Sequence, residues 1–114
     1  MKKVFFGFAL ADSMFVGNCN IDRKVLSVDE AKGLIAQGVE SCCNASHKAT
    51  IDAMNSRFRI DVAIPATPPQ VTLASGDALI IMGVRGLPRL TDRHEYTTEE
   101  IGKATFSFSC YTVA

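Results

Sequence analysis

The sequence predicts an α+β fold: a single mixed β-sheet of about five or six strands, with two or three helices mainly on one face. Three observations carry that prediction. Ala78-Leu79-Ile80-Ile81-Met82-Gly83-Val84 is the most apolar run and reads as a buried central strand. Ser27-Val28-Asp29-Glu30 and Thr97-Thr98-Glu99-Glu100 are capping boxes, each opening a helix. The stretch from Ala104 to Val113 alternates, with Phe106, Phe108 and Cys110 on one face, and reads as the last strand.

A chain of 114 residues has room for one core, so residues 1–114 are read as a single domain. At 47% hydrophobic and 21% charged it is a globular chain rather than a disordered one. Twelve basic residues cancel twelve acidic ones, which excludes the broad basic field a duplex nucleic acid needs. A small anionic ligand needs only a local positive pocket and stays open. Near-zero net charge also leaves self-association little opposed. No stretch reaches the ~18 apolar residues of a membrane span, so no membrane partner is expected.

Taken in order, Lys2 and Lys3 precede an apolar run from Val4 to Ala11. That run has the outline of a short signal peptide, with Ala9-Leu10-Ala11 as cleavage site. It is read instead as a first strand, Lys3 to Leu10, buried on both faces. Ala11 to Asn20 is a mixed loop after that strand, where α/β folds place ligand groups. Ile21 to Leu26 is a short strand. The helix after Ser27 carries Val28, Ala31, Leu34 and Ile35 as its apolar stripe, and Gly38 suits the left-handed position that ends it. Val39 to Cys43 is a strand in which Cys42 and Cys43 point to opposite faces. With Cys19 and Cys110 apart from them, these read as reduced structural thiols rather than a disulfide framework. Cys42, Cys43 and His47 match no metal-ligand spacing, and neither a metal nor a cofactor is expected.

Ser46 reads as the N-cap of the next helix, which places His47 in its first turn and Ile51, Met54 and Phe58 on one face. Ile60 to Ile64 is extended, and Pro65, Pro68 and Pro69 make a loop or an edge. Gln70 to Leu73 is a strand, Ser75-Gly76-Asp77 a turn, and Arg85 to Glu95 a charged loop after the central strand.

Two stretches carry chemistry. A histidine beside an apolar face is more often a packing residue. At a helix start, however, a proton donor and an anion site coincide. In the charged loop, Arg85, Arg89 and Arg93 recur every four residues with Asp92 and Glu95 among them. The bland reading is a solvated loop of weak ion pairs. The functional reading is an arginine that clamps a phosphate and a carboxylate that orients it or a ribose hydroxyl. His94, flanked by charges, is read as exposed. The sequence contains no Gly-rich phosphate loop, no nucleophile elbow and no carboxylate cluster for Mg²⁺. A phosphodiester would then be opened from within, a ribose 2′-hydroxyl attacking its own phosphate while one acid protonates the leaving 5′-oxygen.

Three motifs carry a resemblance that spans nearly the whole chain. They are Met1-Lys2-Lys3-Val4-Phe5-Phe6; Ser46-His47-Lys48-Ala49-Thr50 with Asn55; and Asp77-Ala78-Leu79-Ile80-Ile81-Met82, followed by Arg89-Leu90-x-Asp92 and Tyr96-Thr97-Thr98-Glu99-Glu100-Ile101. In that order they resemble the viral ring nucleases, the type III anti-CRISPR family of archaeal viruses, also found in bacteria and their phages. The resemblance implies a homodimer in the host cytoplasm that binds cyclic tetra-adenylate across its two-fold axis and cuts it to linear di-adenylate. It implies His47 as general acid, Arg89 as transition-state clamp and Asp92 as orienting carboxylate. Ser13, Ser46, Lys48, Thr50, Arg85 and Glu95 are the substrate-binding candidates. Three positions depart from the pattern. Asp92 replaces a glutamate, which makes Glu95 an alternative. Arg85-Gly86-Leu87-Pro88 lengthens the loop and makes Arg85 a rival clamp. Phe8, Ala11 and Ser13 stand where archaeal members carry asparagines and a serine. The alternative expectation is a non-catalytic sponge for a cyclic nucleotide signal, a cyclic di- or trinucleotide included.

Overall fold

A computed structural model describes residues 3–67, 69–87 and 96–114. Five strands form one mixed sheet: β1 (Val4–Gly7), β2 (Ile21–Leu26), β3 (Glu40–Ser41), β4 (Ala78–Arg85) and β5 (Thr105–Val113), in the order β2-β5-β4-β1-β3. Three helices accompany them: α1 (Val28–Ala36), α2 (Lys48–Phe58) and α3 (Thr98–Lys103). This is the α+β architecture expected from the sequence.

β1 is parallel to both its neighbours, pairing Phe5 with Glu40 of β3 and Val4 with Ala78 of β4. β5 runs antiparallel between β4 and β2, pairing Leu79 with Tyr111 and Leu26 with Phe108. β4 is therefore central, as its unbroken apolar run requires, and Leu79 and Ile80 are fully buried on its two faces. Phe106, Phe108 and Cys110 share the helix side, where Phe108 meets Phe6, Ile80 and Met82.

Both capping boxes form. Glu30 N–H donates to Ser27 Oγ at 3.1 Å and Ser27 N–H to Glu30 Oε1 at 3.0 Å. Thr97 and Glu100 repeat the exchange at 3.1 and 2.8 Å. Gly38 follows α1 with φ +106°, the left-handed region in which a side chain would be strained. Ala31 and Ile35 of α1, with Ile51 and Met54 of α2, close the first core over the sheet. Phe58 ends α2 edge-on to Phe106 and Phe108, at 5.3 and 5.7 Å between ring centroids.

The second face of the sheet is covered by irregular chain. Val71 and Leu73 pack there with Phe5, Leu79 and Val113, while Met14 and Phe15 close over them. This corrects the strand expected from Gln70 to Leu73. Its alternation is real, but its only ladder contact among the described residues is a single parallel bridge from Leu73 to Phe15. Pro69, which has no N–H to donate, precedes it, and side-chain burial rather than pairing holds the segment. β1 and β3 are also shorter than expected. β1 stops at Gly7, after which the chain turns through a 3₁₀ turn at Asp12–Met14. β3 keeps two residues, extended by the Cys42 N–H donating to the Phe6 carbonyl at 2.9 Å.

Asp77 ties this sheet together. It is 5% exposed, and its two carboxylate oxygens accept from the backbone N–H groups of Lys3 and Ala74 at 2.9 and 3.0 Å. Those two bonds hold its carboxyl below the usual carboxylate range.

Candidate functional site

The three parallel strands β1, β3 and β4 all end at one edge of the sheet. Open α/β sheets gather ligand groups there, because the loops leaving neighbouring parallel strands meet. The loop after β1 brings Phe8 and Ser13. The loop after β3 brings Cys42 and His47. A third wall comes from the irregular segment around Gln70 and Val71. Together they line a cleft of about 290 Å³.

His47 is held by local chemistry upstream of α2. Asn44 Oδ1 accepts the Ser46 N–H at 2.9 Å, and the His47 N–H donates to the Asn44 carbonyl at 3.0 Å. These bonds close a 3₁₀ turn at Ala45–His47 that runs directly into α2. Asn44, not Ser46, is therefore the capping side chain. Its short amide reaches the N–H two residues on, the ordinary reach of an Asx turn. The Ser46 hydroxyl lies against Asn44 Oδ1 instead. His47 itself is the residue before α2 rather than a member of its first turn.

The imidazole is half-buried. Its ring sits 4.4 Å from that of Phe8, tilted by 52°. Among the described residues, Nδ1 is fully buried and has no hydrogen-bond partner. A buried polar atom without a partner costs roughly 1–3 kcal/mol, so it is uncommon away from sites that use it. Burial of Nδ1 leaves Nε2 as the nitrogen able to reach a ligand in the cleft.

Cys42 and Cys43 face opposite sides of the sheet, as their adjacency predicts. Cys43 is buried in the helix-side core and Cys42 packs against the other core, beside the cleft. The Cys42 thiol donates to the Phe6 carbonyl at 3.0 Å. Burial pushes both thiols up from their ordinary value, which makes them inert packing groups rather than nucleophiles. None of the four cysteines is in a disulfide. Among the described residues, no group of three or more His, Cys, Asp or Glu side chains is placed to hold a metal.

Of the residues expected at the site, His47 and Ser13 share the cleft. Ser46, Lys48 and Thr50 do not line it. Lys48 pairs with Asp52 one turn along α2, and Thr50 is half-buried on that helix. Arg85 ends β4, exposed, and lines a different hollow with Val84, Thr105 and Ser107. Arg89, Asp92 and Glu95 lie outside the described residues, as do Arg93 and His94. Asn55 of the His47 motif has a packing role. Its amide donates to the Val62 carbonyl at 3.1 Å and accepts the Val62 N–H at 3.0 Å, pinning the chain that leaves α2.

Sequence reasoning missed Gln70 as a lining residue and saw Phe8 only as a departure from a pattern. No local signal marks Gln70, because the segment reaches the cleft through burial of Val71 and Leu73. A larger hollow of about 370 Å³ lies between α1 and the β2–β5 pair. In its lining, Lys24 Nζ pairs with Glu30 Oε2 at 3.0 Å, and Glu30 also closes the cap of α1. Among the described residues, no helix is long and apolar enough to cross a membrane.

No family model matches the sequence, and no curated protein does. Among solved structures, the chain is similar to B116 of Sulfolobus turreted icosahedral virus. The TM-score is 0.68 at 20% sequence identity, over 96% of this chain and 98% of that one. At that identity the likeness shows a shared fold, with a protein of an archaeal virus.

Proposed function

We propose that this chain is a metal-independent ring nuclease that binds and cleaves a cyclic oligoadenylate messenger, cyclic tetra-adenylate, against host type III CRISPR signalling. The observation that carries the reading is His47. It is half-buried at the start of α2 and lines a cleft at the edge where three parallel strands end, with Nδ1 buried and, among the described residues, unpartnered. That placement suits one directed proton donor beside an anion. The full-length fold shared with a protein of an archaeal virus is in keeping with a viral origin.

In the proposed reaction a ribose 2′-hydroxyl attacks the adjacent phosphorus. The O2′–P bond forms, the P–O5′ bond breaks, the 2′ proton passes to solvent, and His47 delivers a proton to the departing O5′. One strand end is left as a 2′,3′-cyclic phosphate and the other as a 5′-hydroxyl. Arg89 is proposed to neutralise the phosphorane charge and Asp92 to orient it, with Glu95 and Arg85 as their alternatives.

The cleft of about 290 Å³ is at the lower bound for small-ligand pockets, roughly 300–1,000 Å³. It takes one nucleotide unit of a ring, not four. A two-fold dimer presenting two clefts would engage opposite nucleotides of one symmetric ring, and two cuts would release two di-adenylates.

The test is incubation with cyclic tetra-adenylate in EDTA, with products resolved by chromatography and mass. Linear di-adenylate carrying 2′,3′-cyclic phosphate ends is expected. Intact ligand would overturn the nuclease reading, and tight binding with the ligand recovered unchanged would replace it with sequestration.

A further inference from the structure

Gln70 sits in the wall of the cleft opposite the loops after β1 and β3, on backbone anchored by its neighbours. Val71 and Leu73, its alternate neighbours, are 5% and 2% exposed in the second core, and the Leu73 N–H donates to the Met14 carbonyl at 2.7 Å. Pro69 precedes it with a fixed φ. Alternation along this anchored segment turns Gln70 and Thr72 outward, and both are exposed. Gln70 makes no hydrogen bond or ion pair among the described residues. Of the described lining residues it is the one carboxamide. Across the cleft, Phe8 is half-buried against His47 and offers an aromatic face. The other polar lining groups differ in kind. The Cys42 thiol is spent on the Phe6 carbonyl, and Ser13 offers a single hydroxyl.

A carboxamide places an acceptor and a donor side by side in one plane. Adenine presents the complement on its N6/N7 edge, an N–H donor beside a ring acceptor, whereas guanine presents two acceptors there. An aromatic face takes any base by stacking and does not choose among them. Resting on the ring-nuclease reading, we propose that Gln70 is the specificity-determining residue of the cleft. Its Oε1 accepts from adenine N6–H and its Nε2 donates to N7, while Phe8 supports the ring face. His47 is thereby left to the phosphate of the same nucleotide.

The experiment compares the wild type with Gln70→Leu and Gln70→Glu in the full chain. Each is assayed on cyclic tetra-adenylate and on the same ring built from 7-deaza-adenosine, which lacks the N7 acceptor. The wild type should show a KM about 10- to 100-fold higher on the 7-deaza ring, the value of one neutral hydrogen bond in each of the two clefts that a ring engages. Gln70→Leu should raise KM on the adenosine ring by at least as much and erase the difference between the two rings, with the loss falling on KM rather than kcat. Gln70→Glu keeps the shape and the N6 acceptor but sets a carboxylate oxygen against the N7 lone pair, so it should lose the preference for the adenosine ring and bind the 7-deaza ring at least as well. Cleavage by the wild type with no 7-deaza penalty, or a penalty that survives Gln70→Leu, would overturn the role of Gln70 alone. A wild type that neither binds nor cuts either ring would overturn the ring-nuclease reading and this inference with it.

Discussion

Asp77 shows what one residue can hold in place. Both carboxylate oxygens are used, on the N–H groups of Lys3 and Ala74, at the point where β1 starts beside β4. Asparagine keeps the shape but has one acceptor oxygen, so Asp77→Asn leaves a backbone N–H facing an amide N–H₂. We expect a loss of about 1–3 kcal/mol in urea denaturation at pH 7. The pH dependence has a definite sign. The folded carboxyl is held below its unfolded value, so its contribution is full above that value, about 3.9, and is lost as pH falls through the folded one. The gap between wild type and Asp77→Asn should therefore be widest at neutral pH and narrow below about pH 4. A gap constant from pH 7 to pH 2 would contradict this. Read alone, Asp77 was a turn residue. Its reach to Lys3, 74 residues away, depends on β1 and β4 being neighbours.

At the scale of elements, the start of α2 and the end of β1 build the cleft. Asn44 caps the turn that carries His47, so Asn44→Ala should cost about 0.5–2 kcal/mol. Ser46→Ala, on an exposed residue whose hydroxyl only meets Asn44, should stay within about 0.5 kcal/mol. Paired urea titrations check both, and a larger loss in Ser46→Ala would return the cap to serine. Gly7 ends β1 where a Cβ would come within 2.7 Å of Cys42 Sγ. Gly7→Ala should destabilise by about 1–3 kcal/mol through overpacking, and adding Cys42→Ala should recover most of it. Equal stability of the single and double variants would contradict that contact. Elements with local signals were legible in advance: both capping boxes, Gly38, the central strand and the alternating last strand. The helix face of Ile51, Met54 and Phe58 was legible for the same reason. The Gln70–Leu73 segment departs from the strand its pattern predicts because alternation reports which side chains are buried, not whether the backbone is paired.

At the scale of the whole molecule, the mixed sheet order β2-β5-β4-β1-β3 brings three parallel strand ends to one edge. That order explains why the site was only partly legible. His47 and Ser13 carry chemistry in their own residue types and sit in loops that follow strands, so sequence alone could nominate them. Gln70 joins them only because the chain returns to the same edge far along the sequence, and Phe8, in the loop after β1 with Ser13, has no polar group to mark it. Ser46, Lys48 and Thr50 belong to the motif around His47, yet a helix start turns successive side chains in different directions. Lys48 is directed along α2 to Asp52 instead. The fold shared with the viral protein B116 spans nearly the whole chain, while the proposed chemistry draws on this edge. In the proposed reaction His47 donates the proton to the leaving 5′-oxygen. Its most direct test is the single-turnover rate of cyclic tetra-adenylate cleavage in EDTA by wild type and by His47→Ala, with Kd measured on the same samples. His47→Ala should lower the rate by about 10²–10⁴-fold with Kd little changed. Equal rates for the two proteins would contradict it.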